Sequence, residues 1–291
     1  MDLVVTLVAA DRLDPAVAAQ IVQALGADEA VRLSDRATDV YATGSCAEVR
    51  ATVASTLGEE PVDAIVQSAK GRQKSLLVSD MDSTMIEQEC IDELAGVLGL
   101  KEKVADITAR AMAGELDFGE ALTERVALLA GIEQSAIADV LATIRPSKGA
   151  KTLIATLRAH GVRTVLVSGG FSQFAEPIGE KLGFDAAFAN HLIVGDGALT
   201  GDVAQPILGA DAKRERLEKE AATLGVTASA AVALGDGAND LEMIDAAGLG
   251  IAYRAKPAVA KAADAQLRHA DLTAVLYAMG IPQDRFVTDG D

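Results

Sequence analysis

Residues 75–86 read SLLVSDMDSTMI. Three apolar residues, Leu76, Leu77 and Val78, run directly into two aspartates spaced i and i+2, Asp80 and Asp82. A short apolar run giving way to small polar residues predicts a buried parallel strand that ends in a loop. Open α/β sheets carry their chemistry at the C-terminal ends of such strands. Two carboxylates are costly to bury there, so a cation or a catalytic role is the expected reason for them. An aspartate-rich surface loop is the alternative, and the flanking segments decide between the two.

Downstream the pattern alternates. Pro146–His160 reads as a helix with Pro near its start and Gly161 beyond its end. Thr164–Val167 predicts a strand running into Ser168-Gly169-Gly170, followed by a helix over Ser172–Leu182 and a short strand over Ala186–Ala189. Leu192–Val194 and Leu199–Val203 predict a β-hairpin. Ala210–Leu224 is a helix rich in Lys, Arg and Glu; Ala231–Leu234 is a strand ending in GDGAND, residues 235–240. Leu249–Ala252 predicts another strand and Leu272–Met279 a last helix. This alternation predicts a doubly wound, Rossmann-like parallel sheet in an α/β fold.

Between the first strand and this series, residues from about 88 to 145 carry helical spacing only. Ile91, Leu94, Ala95 and Leu98 share one face, and Val104, Ile107, Ala111 and Met112 another; Phe118–Ala130 and Ile132–Ile144 add two helices. Such an insertion predicts a small helical cap over the strand ends, placed to act as a lid.

Residues 1–70 predict a separate α+β unit. Leu3–Ala10 is a strand, Asp14–Leu25 a helix opened by Asp-Pro, Val31–Leu33 and Thr38–Thr43 strands, Ser45–Leu57 a capped helix and Val62–Val66 a last strand. The order βαββαβ is that of a ferredoxin-like fold. It resembles the ACT-type regulatory domains attached to amino-acid enzymes, without a convincing glycine-rich effector loop; a module that binds no ligand is an equal reading. A polar stretch, Lys70–Lys74, predicts a linker to residues 71–291.

Composition narrows the function. Half of the 291 residues are hydrophobic, with 26 Lys+Arg against 43 Asp+Glu and a formal charge of −17. That charge argues against a nucleic-acid partner, and an anionic substrate needs a locally built positive site. Cys46 and Cys90 form no CxxC and have no neighbouring His, which argues against a disulfide framework or zinc site. The eight-residue apolar run near the N-terminus is too short to span a membrane and lacks a basic leader, so the chain is expected to be cytoplasmic.

Four polar clusters thus fall at strand ends or near a helix start: Asp80/Asp82, Ser168, Lys213 and Asp236/Asp240. Together with the helical insertion they resemble the haloacid-dehalogenase superfamily of phosphatases, whose signature runs DxDxT, Ser/Thr, Lys, GDGxxD. Within it the pattern is most similar to the phosphoserine phosphatases, over about Ser75 to Gly280: SDMDSTMIEQECIDELA, GELDFGEALTERVALL, LVSGGF, AKRERLEKE and ALGDGANDLEMI.

The resemblance implies hydrolysis of phosphoserine, the last step of serine biosynthesis, with Asp80 as nucleophile and Asp82 as general acid and base. It implies Mg²⁺ held by the side chains of Asp80 and Asp236 and the backbone carbonyl of Asp82, with Asp240 in support. Lys213, Ser168, the Gly169 amide and Asn239 would face the phosphate. Glu89 would take the substrate ammonium and Arg125 its carboxylate. Met112 and Phe118 are candidates for an apolar wall that excludes water, and core packing explains both nearly as well. Transfer to another alcohol such as homoserine is an alternative that keeps the fold. A phosphoaspartyl signalling module is a third, disfavoured by Asp82. A homodimer is compatible with all of these.

Overall fold

A computed structural model describes residues 2–112 and 115–288. Its N-terminal part comprises β1 (Leu3–Ala9), α1 (Pro15–Leu25), β2 (Ala30–Arg32), β3 (Ala37–Ala42), α2 (Cys46–Leu57) and β4 (Val62–Ser68). The strands form an antiparallel sheet in the order β2-β3-β1-β4, the ferredoxin-like arrangement. Local chemistry explains where the helices start. Asp14 accepts the Ala16 N–H at 2.8 Å, with Pro15 opening α1, and Ser45 with Glu48 forms a capping box on α2.

β1 is buried along its whole length because both sides of the sheet are covered. Leu3, Val5 and Leu7 pack under α1 and α2. On the opposite side Val8, with Ala37 and Ile65, joins the main core of the chain. The Lys70–Lys74 stretch does connect the two parts, but Arg72 within it is no solvated linker charge. Its guanidinium donates to Asp39 at 2.7 and 3.2 Å, to Thr6 Oγ1 at 3.3 Å and to the carbonyls of Tyr277 and Ala278 at 2.8 and 3.1 Å. Arg36 grips Asp271 with two parallel bonds of 3.0 and 2.8 Å. Asp63 accepts the N–H groups of Arg268, His269 and Ala270 at 2.8–3.0 Å.

The larger part begins with β5 (Leu76–Ser79) and four cap helices, α3 (Cys90–Val97), α4 (Lys101–Met112), α5 (Phe118–Ala127) and α6 (Ser135–Thr143). It continues through α7 (Ala150–Ala159), β6 (Arg163–Phe171), α8 (Ser172–Leu182), β7 (Ala186–Asn190), the hairpin β8 (Leu192–Gly195) and β9 (Ala198–Val203), and α9 (Ala210–Thr223). β10 (Ala231–Gly235), α10 (Leu241–Ala246), β11 (Leu249–Tyr253), α11 (Pro257–Ala262), β12 (Ala265–Leu267) and α12 (Ala274–Ala278) complete it. The sheet is parallel throughout, in the order β12-β11-β10-β5-β6-β7. The chain therefore winds to one side of β5 and then to the other, leaving the end of β5 at the point where the direction reverses.

Two expectations need correction. The helix read from Pro146 starts at Ala150, after Gly149 in a left-handed conformation (φ 83°); Pro146 instead pairs with Ile86. The segment after β11 holds a short helix and a strand, α11 and β12, that the hydrophobic pattern does not announce. The two linkers of the cap run side by side, with Glu87 N–H on Arg145 O at 3.0 Å and Ser147 N–H on Met85 O at 2.9 Å. The cap is also tied to the hairpin, since Gly131 and Leu199 N–H donate to Leu199 and Ile132 carbonyls at 2.9 and 2.8 Å. No helix among the described residues is long and apolar enough to cross a membrane.

Arg72 and Asp39 leave side-chain exposures of only 11% and 2%. Arg72→Met strands Asp39 without its cation, and the expected loss is about 3–5 kcal/mol of unfolding free energy. Denaturant unfolding measures it; a loss under about 1 kcal/mol would show that the pair contributes no more than a surface bridge.

Candidate active site

The register of the sheet assembles the site. Ser79 at the end of β5 lies opposite Leu234 of β10 and Leu166 of β6. The ladder reaches one residue further, where the Asp80 N–H donates to Leu234 O at 2.9 Å. Asp80 therefore leaves the sheet beside Gly235-Asp236 on one flank and Val167-Ser168 on the other. Between β6 and β7 the pairing jumps from Val167–Phe188 to Phe171–Asn190. Ser168, Gly169 and Gly170 bulge out of the ladder across the space of Ala189 alone.

α9 presents Lys213 in its first turn, fully buried at 0% exposure. Its ammonium donates to Asp80 Oδ1 at 2.7 Å and to Asp240 Oδ1 at 2.6 Å. Asp240 Oδ2 accepts the N–H groups of Asp236 and Gly237 at 3.2 and 3.0 Å, which fixes the loop after β10. Residue 235 must be glycine for Asp240 to stand where it does, because a Cβ there would collide with the Asp240 carboxylate. Thr84 Oγ1 donates to Asp236 Oδ1 at 3.4 Å.

Carboxylate oxygens of Asp80, Asp236 and Asp240 all come within 4.8 Å of one another. Three carboxylates around one ammonium leave an excess of two negative charges. The strain shows in their protonation: burial, then Asp240, pushes Asp80 well above the usual carboxylate range and raises Asp236 to about 6. Burial favours the neutral form of Lys213, but Asp240 and Asp80 outweigh it and keep it an ammonium. A divalent cation fits this donor set in charge and in its hard oxygen ligands. Both Asp240 oxygens are already engaged by Lys213 and two amides, so Asp80 and Asp236 are the better-placed ligands.

Asp82 occupies the other side of the nucleophile loop. Its Oδ1 accepts the Cys90 N–H at 2.9 Å at the start of α3, and its Oδ2 accepts the Ser168 hydroxyl at 3.3 Å. Burial raises its pKa, against those hydrogen bonds. The Gly170 N–H donates back to Ser168 Oγ at 2.9 Å. Gly169 lies under the Phe118 ring: a Cβ on it would meet Phe118 Cζ at 2.9 Å and Asn239 Nδ2 at 3.7 Å.

The cap contributes Glu89 and Arg125. Ser83, held at a left-handed φ of 54°, donates to Glu89 Oε1 at 2.6 Å. Burial of the carboxyl group, then the charge of Asp82, raises Glu89 to about 7, although the residue keeps surface open to solvent. Arg125 is half-buried in the last turn of α5, and its Nε donates to Ala121 O at 3.2 Å. Burial lowers its pKa while Asp92, Glu89 and Asp82 oppose that. Among the described residues it makes no ion pair within 4.0 Å.

The structure thus gathers Asp80, Asp82, Lys213, Asp236, Asp240, Ser168, Gly169, Asn239 and Phe118 at one end of the sheet, with Glu89 and Arg125 above Asp82. Met112 ends α4, but its side chain lies outside the described residues. Sequence reasoning gave no role to Thr84 or Ser83. Thr84 carried a signal as the last letter of DxDxT, whereas nothing in the sequence marks the left-handed turn at Ser83.

Comparison with known proteins agrees with this arrangement. Residues 77–245 match the family model of the haloacid dehalogenase-like hydrolases. This chain belongs to that family. Phosphoserine phosphatase of Streptomyces coelicolor is 44% identical over 234 residues, 80% of this chain and 57% of its own length. The chain thus spans little more than half of that relative. Among solved structures, a family hydrolase from Salmonella enterica serovar Typhi superposes with a TM-score of 0.86 at 27% identity, covering 95% of this chain and 98% of its own. A phospho-aspartyl intermediate analogue of a phosphoserine phosphatase superposes at 0.66 with 43% identity, over 70% and 98% of the two chains.

For this hydrolase, Gly235→Ala tests how far the site depends on Asp240. The new methyl group displaces the Asp240 carboxylate and with it the Lys213 ammonium. Affinity for a divalent cation, read by calorimetric titration, is expected to fall about 10–100-fold; unchanged affinity would place Asp240 outside the cation's supporting structure.

Proposed function

We propose that this hydrolase converts O-phospho-L-serine to L-serine and phosphate through an aspartyl-phosphate on Asp80, in the cytoplasm, as the last step of serine synthesis. The observation that carries this reading is one buried ammonium, Lys213, holding Asp80 Oδ1 while Asp82 stands on the same loop. Phosphate monoesters hydrolyse slowly, so a nucleophile, a proton donor and charge neutralisation are all required. Lys213 aims Asp80 and leaves Oδ2 free to attack phosphorus. Asp82, whose pKa burial raises, is suited to give a proton to the departing serine oxygen. It then takes a proton from the water that attacks the Asp80 acyl phosphate, releasing phosphate and restoring both carboxyls.

Ser168, the Gly169 amide and Asn239 bind the non-bridging oxygens, and Gly169 allows the close backbone approach that a Cβ would block. Mg²⁺ held by Asp80, Asp236 and the carbonyl of Asp82 would offset repulsion between the carboxylates and the phosphate dianion. Glu89 receives the substrate ammonium and Arg125 its carboxylate, an ion-pair partner that this half-buried guanidinium does not have among the described residues. Phe118 would shield the reacting atoms from water. The relatives named phosphoserine phosphatase support the substrate.

The test compares phosphoserine with p-nitrophenyl phosphate, which has no amino-acid head group. Arg125→Ala and Glu89→Gln should each lower kcat/KM for phosphoserine about a hundredfold and affect the other substrate far less. Equal losses on both would assign the two residues to cap packing. Acidity should separate the substrates too. Below about pH 7 Glu89 is protonated and cannot pair with an ammonium. The kcat/KM ratio, phosphoserine over p-nitrophenyl phosphate, is therefore expected to rise as pH increases through that value. A flat ratio from about pH 5.5 to 8.5 would exclude Glu89 as the ammonium acceptor.

A further inference from the structure

Asn190 closes β7 and is 3% exposed. It faces Phe171 just beyond the bulge formed by Ser168, Gly169 and Gly170. Within that bulge the Gly169 carbonyl has lost its place in the ladder, and an unpaired buried carbonyl is costly. Asn190 Nδ2 takes the place of a backbone donor and bonds Gly169 O at 2.9 Å. The same amide pairs with Leu208 as a strand neighbour would: Leu208 N–H donates to Asn190 Oδ1 at 2.6 Å, and Nδ2 donates to Leu208 O at 3.3 Å. Leu208 precedes Gly209, the N-cap of α9, five residues before Lys213.

One side chain therefore joins the loop that offers the Gly169 amide to the segment that starts the Lys213 helix. It also closes the base of the excursion through residues 191–207, whose hairpin is bonded to the cap. An amide suits the position because it supplies a donor to two carbonyls and an acceptor to one N–H from a single planar group. Aspartate would set a carboxylate against both carbonyls; alanine would leave three backbone groups unpaired.

We propose that Asn190 is a positioning residue for phosphate recognition: it fixes the distance between the Gly169 amide and the Lys213 ammonium, and so the width of the phosphate-binding site. The inference rests on the reading of those two groups as phosphate ligands. It assigns Asn190 no contact with substrate and no part in recognising the serine head group.

The experiment uses the full chain with Mg²⁺ and two probes, inorganic phosphate and L-serine, each measured as an inhibitor of p-nitrophenyl phosphate hydrolysis. In wild type, inhibition by inorganic phosphate establishes the phosphate site, and its absence would overturn that reading, independently of Asn190. In Asn190→Asp the phosphate inhibition constant is expected to rise about 10–100-fold, with kcat/KM falling in parallel. The L-serine constant should stay within about twofold of wild type. Equal weakening of both probes, or a lower melting temperature with phosphate affinity kept, would reduce Asn190 to a fold-supporting residue and overturn the proposal. Asn190→Ala removes both donations and the Leu208 N–H bond as well, adds no charge, and carries the identical comparison if the aspartate variant does not fold. Asn190→Ser, able to restore one bond, should recover part of the phosphate affinity.

Discussion

Lys213 Nζ lies 2.7 Å from Asp80 and 2.6 Å from Asp240, with all three groups withdrawn from solvent. Burying one such charge without partners is prohibitive, so each of the three requires the other two. The constraint spreads outward. Asp240 can hold Lys213 only because its second oxygen is fixed by the amides of Asp236 and Gly237, and because Gly235 has no side chain. Asp80 can meet Lys213 only because β5 lies between β10 and β6 in the sheet. The network still carries excess negative charge, which suits the site to a divalent cation.

Two further regions bear on that centre from a distance. The ferredoxin-like part is fastened to the core by the ion pairs and hydrogen bonds of Arg72 and Arg36, and among the described residues it supplies no group to the site. The cap supplies Glu89 and Arg125. It is joined to the core at its paired linkers and again through the hairpin of β8 and β9. The base of that hairpin is the Asn190–Leu208 pairing beside the Gly169 loop. Hydrogen bonds therefore run without a break from the cap through the hairpin base to the Gly169 loop.

Much of this was legible in the residues themselves. The apolar run before Asp80, the two aspartates at i and i+2 and the acidic loop after β10 mark strand ends in a parallel sheet whatever the details of packing. Lys213 is separable from Arg214, Arg216 and Lys219 by helical spacing, because it continues the buried stripe of Leu217, Glu220 and Ala221. What could not be read depends on tertiary register or on backbone conformation. Asn190 matters only because a bulge in β6 strands the Gly169 carbonyl, and Ser83 reaches Glu89 only from a left-handed turn. Arg72 looks like any linker cation until two carbonyls of the last helix close around it. β12, three residues long, takes its strand character from pairing with β11 and not from its own sequence.

The central claim, that Asp80 carries the phosphoryl group during turnover, is open to direct chemical trapping. Enzyme turning over phosphoserine is quenched with borohydride, which reduces an acyl phosphate to the alcohol, and the peptide containing residues 75–86 is sequenced by mass spectrometry. The account predicts homoserine at position 80 in the quenched wild type and none in Asp80→Asn or in the absence of substrate. Reduction at any other carboxylate, or turnover with no reduced residue under conditions that trap the intermediate in a related phosphatase, would contradict it.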